Sequence, residues 1–174
     1  MTQGIEAVIS EHALNMHKDY LRRLRLKYSV LEKSSPELRG KSIGQISKMR
    51  IRDREEALNL KCDIALHELY FSSFGEGYQC SERARACFGS EASFLYELFK
   101  WCLLRKDDYV VVHINRGKIE FSGGSCELLI KIHNPLLCID LCEHSYFLDY
   151  GFERDTYLEK LLPYLNISRA DKFL

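Results

Sequence analysis

In residues 108–141, DYVVVHINRGKIEFSGGSCELLIKIHNPLLCIDL, runs of β-branched residues are separated by short glycine-containing turns, and the pattern differs from everything before it. DYVVVHIN, then IEFSGG after the RGK turn, then SCELLIKIHNPLLCIDL predict three antiparallel strands. Upstream the spacing is helical. ISEHALNMHKDYLRRLRLKYSVL, from Ile9 to about Leu31, sets Ile9, Ala13, Leu14, His17, Leu21, Leu24 and Tyr28 on one stripe, with Ser10 as N-cap. Pro36, Gly40 and Gly44 then turn the chain, and a second helix is expected from about Ile46 to Phe74, closed by Gly75 and Gly77. Its apolar stretch IALHELYFSSF is expected to be buried and to carry His67 inside. A third helical segment starts near Ser81 and is interrupted around Gly89. After Asp140 the helical pattern returns, broken near Gly151 and ended around Pro163. Helices, a small sheet, then helices make an α+β chain.

Composition narrows the function. Hydrophobic residues make up 46% of the 174, enough for one compact unit. The 25 basic residues balance the 25 acidic ones, so no overall charge marks a nucleic-acid or membrane binder. The densest basic run, LRRLRLK at Leu21 to Lys27, reads as a solvated helix face, with an anion- or RNA-binding role as the alternative. No apolar run approaches the roughly 20 residues that cross a bilayer, and MTQGIEAVISEHALN lacks the form of a signal peptide, so a cytoplasmic location is expected. The 7 cysteines form no CxxC pair, which argues against a disulfide framework and a zinc ribbon and for reduced thiols packed as small hydrophobes. Phosphate-loop and HExxH motifs are absent from the sequence.

Chemistry is therefore sought in the 6 histidines. His12, His113 and His133 sit beside charged or turn residues, whereas His17, His67 and His144 have apolar or aromatic neighbours. One such histidine is as a rule a satisfied core residue, and an Asp-xxx-His pair is common by chance. Three of them with the apolar-flanked Asp140 make a three-nitrogen, one-oxygen set suited to iron or manganese. Spacing alone leaves both readings standing.

From Asp140 the residues DLCEHSYFLDY resemble the D-x-W-E-H-A-Y-x-x-D-Y signature of the iron/manganese superoxide dismutases. ISEHALNMH, RGKSIGQI, ALHELYFSSF, CFGSEASFLYELF and ERDTYLE are similar to further stretches of that family, in family order over almost the whole chain. The resemblance implies an N-terminal helical hairpin over residues 1–77 and a C-terminal lobe over residues 78–174 with a three-stranded antiparallel sheet and flanking helices. It implies a single iron or manganese ion between them, held by His17, His67, Asp140 and His144, with iron slightly preferred, and superoxide as substrate. It also implies a homodimer bridged by Glu143, with Arg154 attracting the anion. Neither a membrane nor a nucleic-acid partner is expected.

Several positions depart from the family pattern. Arg25 aligns with the gateway tyrosine, Leu21 with the channel histidine, Cys142 with the tryptophan between the last two ligands, and Asp63 with an outer-sphere glutamine. Phe147 replaces a tyrosine, and Val110 and Val112 replace tryptophans. Asp63, Cys142 and Arg25 are thus expected to surround the metal and retune it, and a non-dismutase metal protein or an interaction protein on the same scaffold is the alternative.

Overall fold

A computed structural model describes residues 4–75, 78, 81–125 and 128–172. Gly77, the end of the first lobe at residue 77, Cys80 and Cys126 lie outside the described residues. The chain runs through helix α1 (Glu11–Ser34), the short α2 (Ile43–Ile46), α3 (Arg54–Phe71), α4 (Glu82–Phe88) and α5 (Glu91–Leu104). Strands β1 (Tyr109–Asn115) and β2 (Lys118–Gly124), helix α6 (Leu128–Lys131), strand β3 (Pro135–Asp140) and helices α7 (Glu143–Tyr150) and α8 (Arg154–Leu161) follow. This is the expected α+β arrangement, a helical N-terminal region followed by an antiparallel sheet with flanking helices.

Helix α1 starts where the sequence places it, with Ser10 Oγ accepting the Ala13 N–H at 3.2 Å. Its stripe from Ala13 to Tyr28 is buried, and Arg22, Arg23, Arg25 and Lys27 face solvent. The expected single helix from Ile46 to Phe74 is instead two. Ser42 and Gln45 form a reciprocal capping box that starts α2, and α3 begins only after Asp53, whose carboxylate takes the Ser35 hydroxyl at 2.7 Å. That side-chain tie holds the turn between them against the end of α1. At the far end of α3, Ser73 Oγ donates to Leu69 O at 2.7 Å and accepts the Cys138 N–H at 2.9 Å, which fastens the helix to β3.

The sheet has the order β2-β1-β3, all antiparallel. Arg116 and Gly117 both adopt positive φ, 48° and 78°, in the two-residue turn that joins β1 to β2. The expected third strand is shorter than its apolar run, because Leu128 to Lys131 forms a helical turn and Pro135, without an N–H, begins the strand after Asn134 at φ 50°. A short apolar run of this kind fits either element by pattern. One contiguous core joins α1, the end of α3, the sheet and α8, through residues such as Leu14, Leu66, Tyr70, Phe94, Val111, Ile139 and Leu158. Tyr28, Leu38, Ile46 and Ala57 make a second cluster at the hairpin end.

Candidate metal centre

Four elements meet at one point: the middle of α1 carries His17, the last turns of α3 carry His67, the end of β3 carries Asp140, and the first turn of α7 carries His144. Their donor atoms all lie within 4.8 Å of one another. Asp140 Oδ2 is 3.3 Å from His17 Nε2, 3.6 Å from His67 Nε2 and 3.3 Å from His144 Nε2, and the last two nitrogens are 3.1 Å apart. Donors about 2.1 Å from one ion, at angles of 90–120°, would sit about 3.0–3.6 Å apart, so the spacing suits a single ion.

Local structure aims these atoms. The Asp63 carbonyl accepts a hydrogen bond from His67 Nδ1–H at 2.8 Å, which fixes the tautomer and leaves the Nε2 lone pair pointing at the group. Asp140 Oδ1 accepts the Cys142 N–H at 2.9 Å in a turn that orients the carboxylate before α7 begins, and Oδ2 is left for the histidines. Tyr157 donates to the Asp140 carbonyl at 3.2 Å, and Tyr70 in turn donates to Tyr157 at 3.0 Å, so a buried pair of tyrosines braces the strand end. His17 is wedged against the rings of Tyr70 and Phe71.

The group is deeply buried on three sides and open on the fourth. His17, His67 and Asp140 are at most 1% exposed, whereas the His144 side chain keeps 32%. His17 Nδ1 and Nε2 and Asp140 Oδ2 have no aligned hydrogen-bond partner among the described residues. Buried polar atoms left this way cost stability, and a cation among them satisfies Nε2 and Oδ2 together. Burial opposes ionisation of Asp140, yet the close imidazoles of His144 and His17, each 3.3 Å from Oδ2, outweigh it and hold the carboxyl well below the usual range. Burial likewise lowers His17 and prevails over Asp140 there. At His144 burial is outweighed by the adjacent Asp140 carboxylate, aided by Asp63 and Glu143, and the imidazole is raised.

Around this group the expected neighbours divide. The Asp63 carboxylate is close, accepting Tyr109 Oη–H at 2.8 Å and Tyr20 Oη–H at 3.4 Å and lying 3.7 Å from His67 Nδ1. Cys142 is adjacent without joining the donor set: its thiol reaches the Asp108 carbonyl at 3.6 Å, and burial first, then Asp140, pushes it up, so it stays protonated. Arg25 is a correction. Its guanidinium projects from the solvent face of α1 and pairs with Glu68 at 2.8 Å, both more than half exposed, because residue 25 is offset from the buried stripe by a single position after Leu24. Arg154 also departs from expectation: it lines neither of the two cavities that reach His144, and its Nε and Nη2 are buried without partners among the described residues, near Cys102 and Tyr146. Glu143 is exposed and lines both cavities.

Two tyrosines escaped the sequence reading. The Tyr20 ring lies tilted with its centroid 4.6 Å from that of His144 and 5.2 Å from that of His67, and burial, reinforced by Asp63, raises its hydroxyl to about 12. Tyr109 pairs directly with Asp140 across β1 and β3, which brings its hydroxyl to Asp63 and, at 3.4 Å, to His67 Nδ1. The available signal for Tyr20 was its place one turn after His17 on α1.

A helical region joined to a three-stranded antiparallel sheet, with three imidazoles and a carboxylate converging between them, defines a class: α+β proteins with a site able to hold one transition-metal ion. Comparison with protein-family models narrows it, because residues 76–173 match the iron/manganese superoxide dismutases, C-terminal domain. That span is more than half of the chain and carries Asp140 and His144, and the chain belongs to this family of oxidoreductases. A comparison with curated proteins finds no match.

Proposed function

We propose that the chain is a divergent superoxide dismutase-like oxidoreductase that converts superoxide to hydrogen peroxide and oxygen, with one iron or manganese ion held by His17, His67, Asp140 and His144. Iron is slightly preferred. The observation that carries this reading is the convergence of three Nε2 atoms on an unpartnered, fully buried Asp140 Oδ2. When bound, the ion supplies a one-electron couple that can accept an electron from one superoxide and return it to another.

The chain's own groups have defined tasks. The Asp63 carbonyl keeps the proton of His67 on Nδ1, so that Nε2 stays free for the ion. Tyr20 Oη and Tyr109 Oη, both held protonated beside carboxylates, keep two protons next to the donor set, and Tyr20 lies on the cavity wall where a reactant arrives. Asp63 accepts from both hydroxyls and fixes them in place.

A homodimer in the cytoplasm completes the proposal. Met16, Phe147, Leu148 and Phe152 expose large apolar side chains around Glu143 and His144, an apolar face suited to a second copy with Glu143 as the bridging carboxylate. The free cysteines among the described residues suit a reducing compartment, and no described helix is long and apolar enough to cross a membrane. The experiment that tests the activity is superoxide consumption by iron- and manganese-reconstituted protein. Metal-dependent consumption is expected. Metal at full occupancy without consumption would favour the second reading, a non-dismutase metal protein, which the altered surroundings at Cys142 support.

A further inference from the structure

Strand β1 reads YVVVHIN and strand β2 KIEFSGG, and in their antiparallel register Val111 faces Ser122 while His113 faces Glu120. Cross-strand partners share a face of the sheet, so His113 and Ser122 are diagonal neighbours on it. Their side chains meet there, with His113 Nε2 and Ser122 Oγ 2.9 Å apart. The histidine is only 6% exposed, and its Nδ1 has no aligned partner among the described residues. A buried imidazole with half its hydrogen-bonding capacity unmet calls for an explanation, and packing alone supplies none. Burial lowers it, outweighing the charge of Glu120, and so keeps it neutral, with a nitrogen that can accept a proton.

The pair opens onto a cavity of about 580 Å3 that shares no residue with the metal donor set. Trp101, Phe121, Leu128 and Ile132 give it apolar walls, and β2, at the edge of the sheet, supplies Glu120 to Gly124. The two-residue turn at Arg116 and Gly117 makes Asn115 and Lys118 a mutually hydrogen-bonded pair, and such pairs alternate along the hairpin. Ser122 therefore falls on a bonded pair with Val111, and the next residue, Gly123, directs its N–H away from β1 toward the open edge. The same phase is seen across β1, where the Ile114 N–H donates to the Asn134 carbonyl on the side of β3. A backbone N–H directly after a serine that is hydrogen-bonded to a histidine is the arrangement that holds an oxyanion in acyl transfer.

We propose that Ser122 is a nucleophile with His113 as its general base, and that the cavity takes small carboxylic esters with an apolar acyl group. Ser122 Oγ bonds to the ester carbonyl carbon and its proton passes to His113 Nε2, while the Gly123 N–H donates to the carbonyl oxygen as that oxygen becomes negative. Collapse of the adduct breaks the bond to the alcohol oxygen, which leaves with the proton from Nε2. Water then attacks the acyl-serine and gives a proton to Nε2; that proton returns to the Ser122 oxygen as the carboxylic acid is released. Among the described residues no carboxylate orients Nδ1, which suits alcohol leaving groups and not the more basic amines of amides.

The test treats the full-length protein with diisopropyl fluorophosphate, which phosphorylates activated serines with loss of fluoride, and follows p-nitrophenyl butyrate hydrolysis beside it. One diisopropylphosphoryl group per chain is expected, mapped by mass spectrometry to Ser122, together with a burst of about one p-nitrophenolate per chain that the label abolishes. Ser122→Ala should take no label at this peptide and show no burst. His113→Gln, which keeps a polar side chain and removes the base, should slow labelling by about a hundredfold or more. An unlabelled Ser122, ester hydrolysis that survives labelling or Ser122→Ala, or an unchanged labelling rate in folded His113→Gln would overturn the proposal. Where His113→Gln fails to fold, Ser122→Ala, a small change on an edge strand, still decides. Neither residue belongs to the metal donor set, so the same labelling is expected of chelator-treated and metal-loaded protein.

Discussion

Metal removal gives the most informative perturbation of this fold. In the metal-free chain His17 Nε2 and Asp140 Oδ2 are buried without aligned partners, and each such atom costs about 1–3 kcal/mol, so about 2–6 kcal/mol is recovered when an ion satisfies both. Mass action gives a similar figure, because an ion present at about a thousandfold its dissociation constant stabilises the native state by about 4 kcal/mol. For a chain of this length each kcal/mol moves the melting temperature by about 2–4 °C, so loading is expected to raise it by about 8–16 °C. Differential scanning calorimetry of chelator-treated protein, before and after addition of iron or manganese, reads this directly. His67→Ala, which removes one of the converging nitrogens, is expected to show no such rise. Coincident melting of the metal-free and metal-loaded protein within about 2 °C would refute the reasoning, because the buried orphan atoms would then have no metal to satisfy them.

Other consequences are equally concrete. His144 is raised in the metal-free fold, and its Nε2 must lose a proton to accept an ion. Metal affinity should therefore be full above the raised His144 value and fall about tenfold per pH unit below it. Chelator competition across that range checks the sign, and a flat profile would contradict it. Glu143→Ala is expected to weaken self-association by about tenfold or more, and unchanged sedimentation in analytical ultracentrifugation would count against the bridging role. Gly4 adopts φ +100° and a Cβ there would come within 2.1 Å of the Gly75 carbonyl oxygen, so Gly4→Ala should cost about 2 kcal/mol or more and lower the melting temperature by about 4–8 °C. A melting temperature equal to wild type would show that this close approach can relax without cost.

Much of the arrangement was legible because periodic burial writes itself into sequence. The α1 stripe and the Ser10 cap, the breaks at Gly89 and Gly151 and the RGK turn all rest on local rules of spacing and backbone geometry, and the structure follows them. The donor set was legible only with the family signature added to the pattern, since an imidazole on an apolar face looks the same whether it faces an ion or a packed core. What escaped the reading depended on side chains acting over distance. The split of the second helix follows from Ser35 reaching Asp53, a contact between residues far apart in the chain. Tyr109 reaches the site through its cross-strand pairing with Asp140, a register that the strand sequences alone do not state. Arg25 was placed by alignment position alone, and the helical phase that puts it beside Glu68 on the solvent face was already present in the burial stripe.

The central claim is that His17, His67, Asp140 and His144 hold one metal ion. Elemental analysis of purified, reconstituted wild-type protein beside Asp140→Ala and His67→Ala tests it most directly. About one iron or manganese per chain is expected in the wild type and none at stoichiometric level in either variant; metal retained in the variants, or none bound by the wild type, would rule this donor set out.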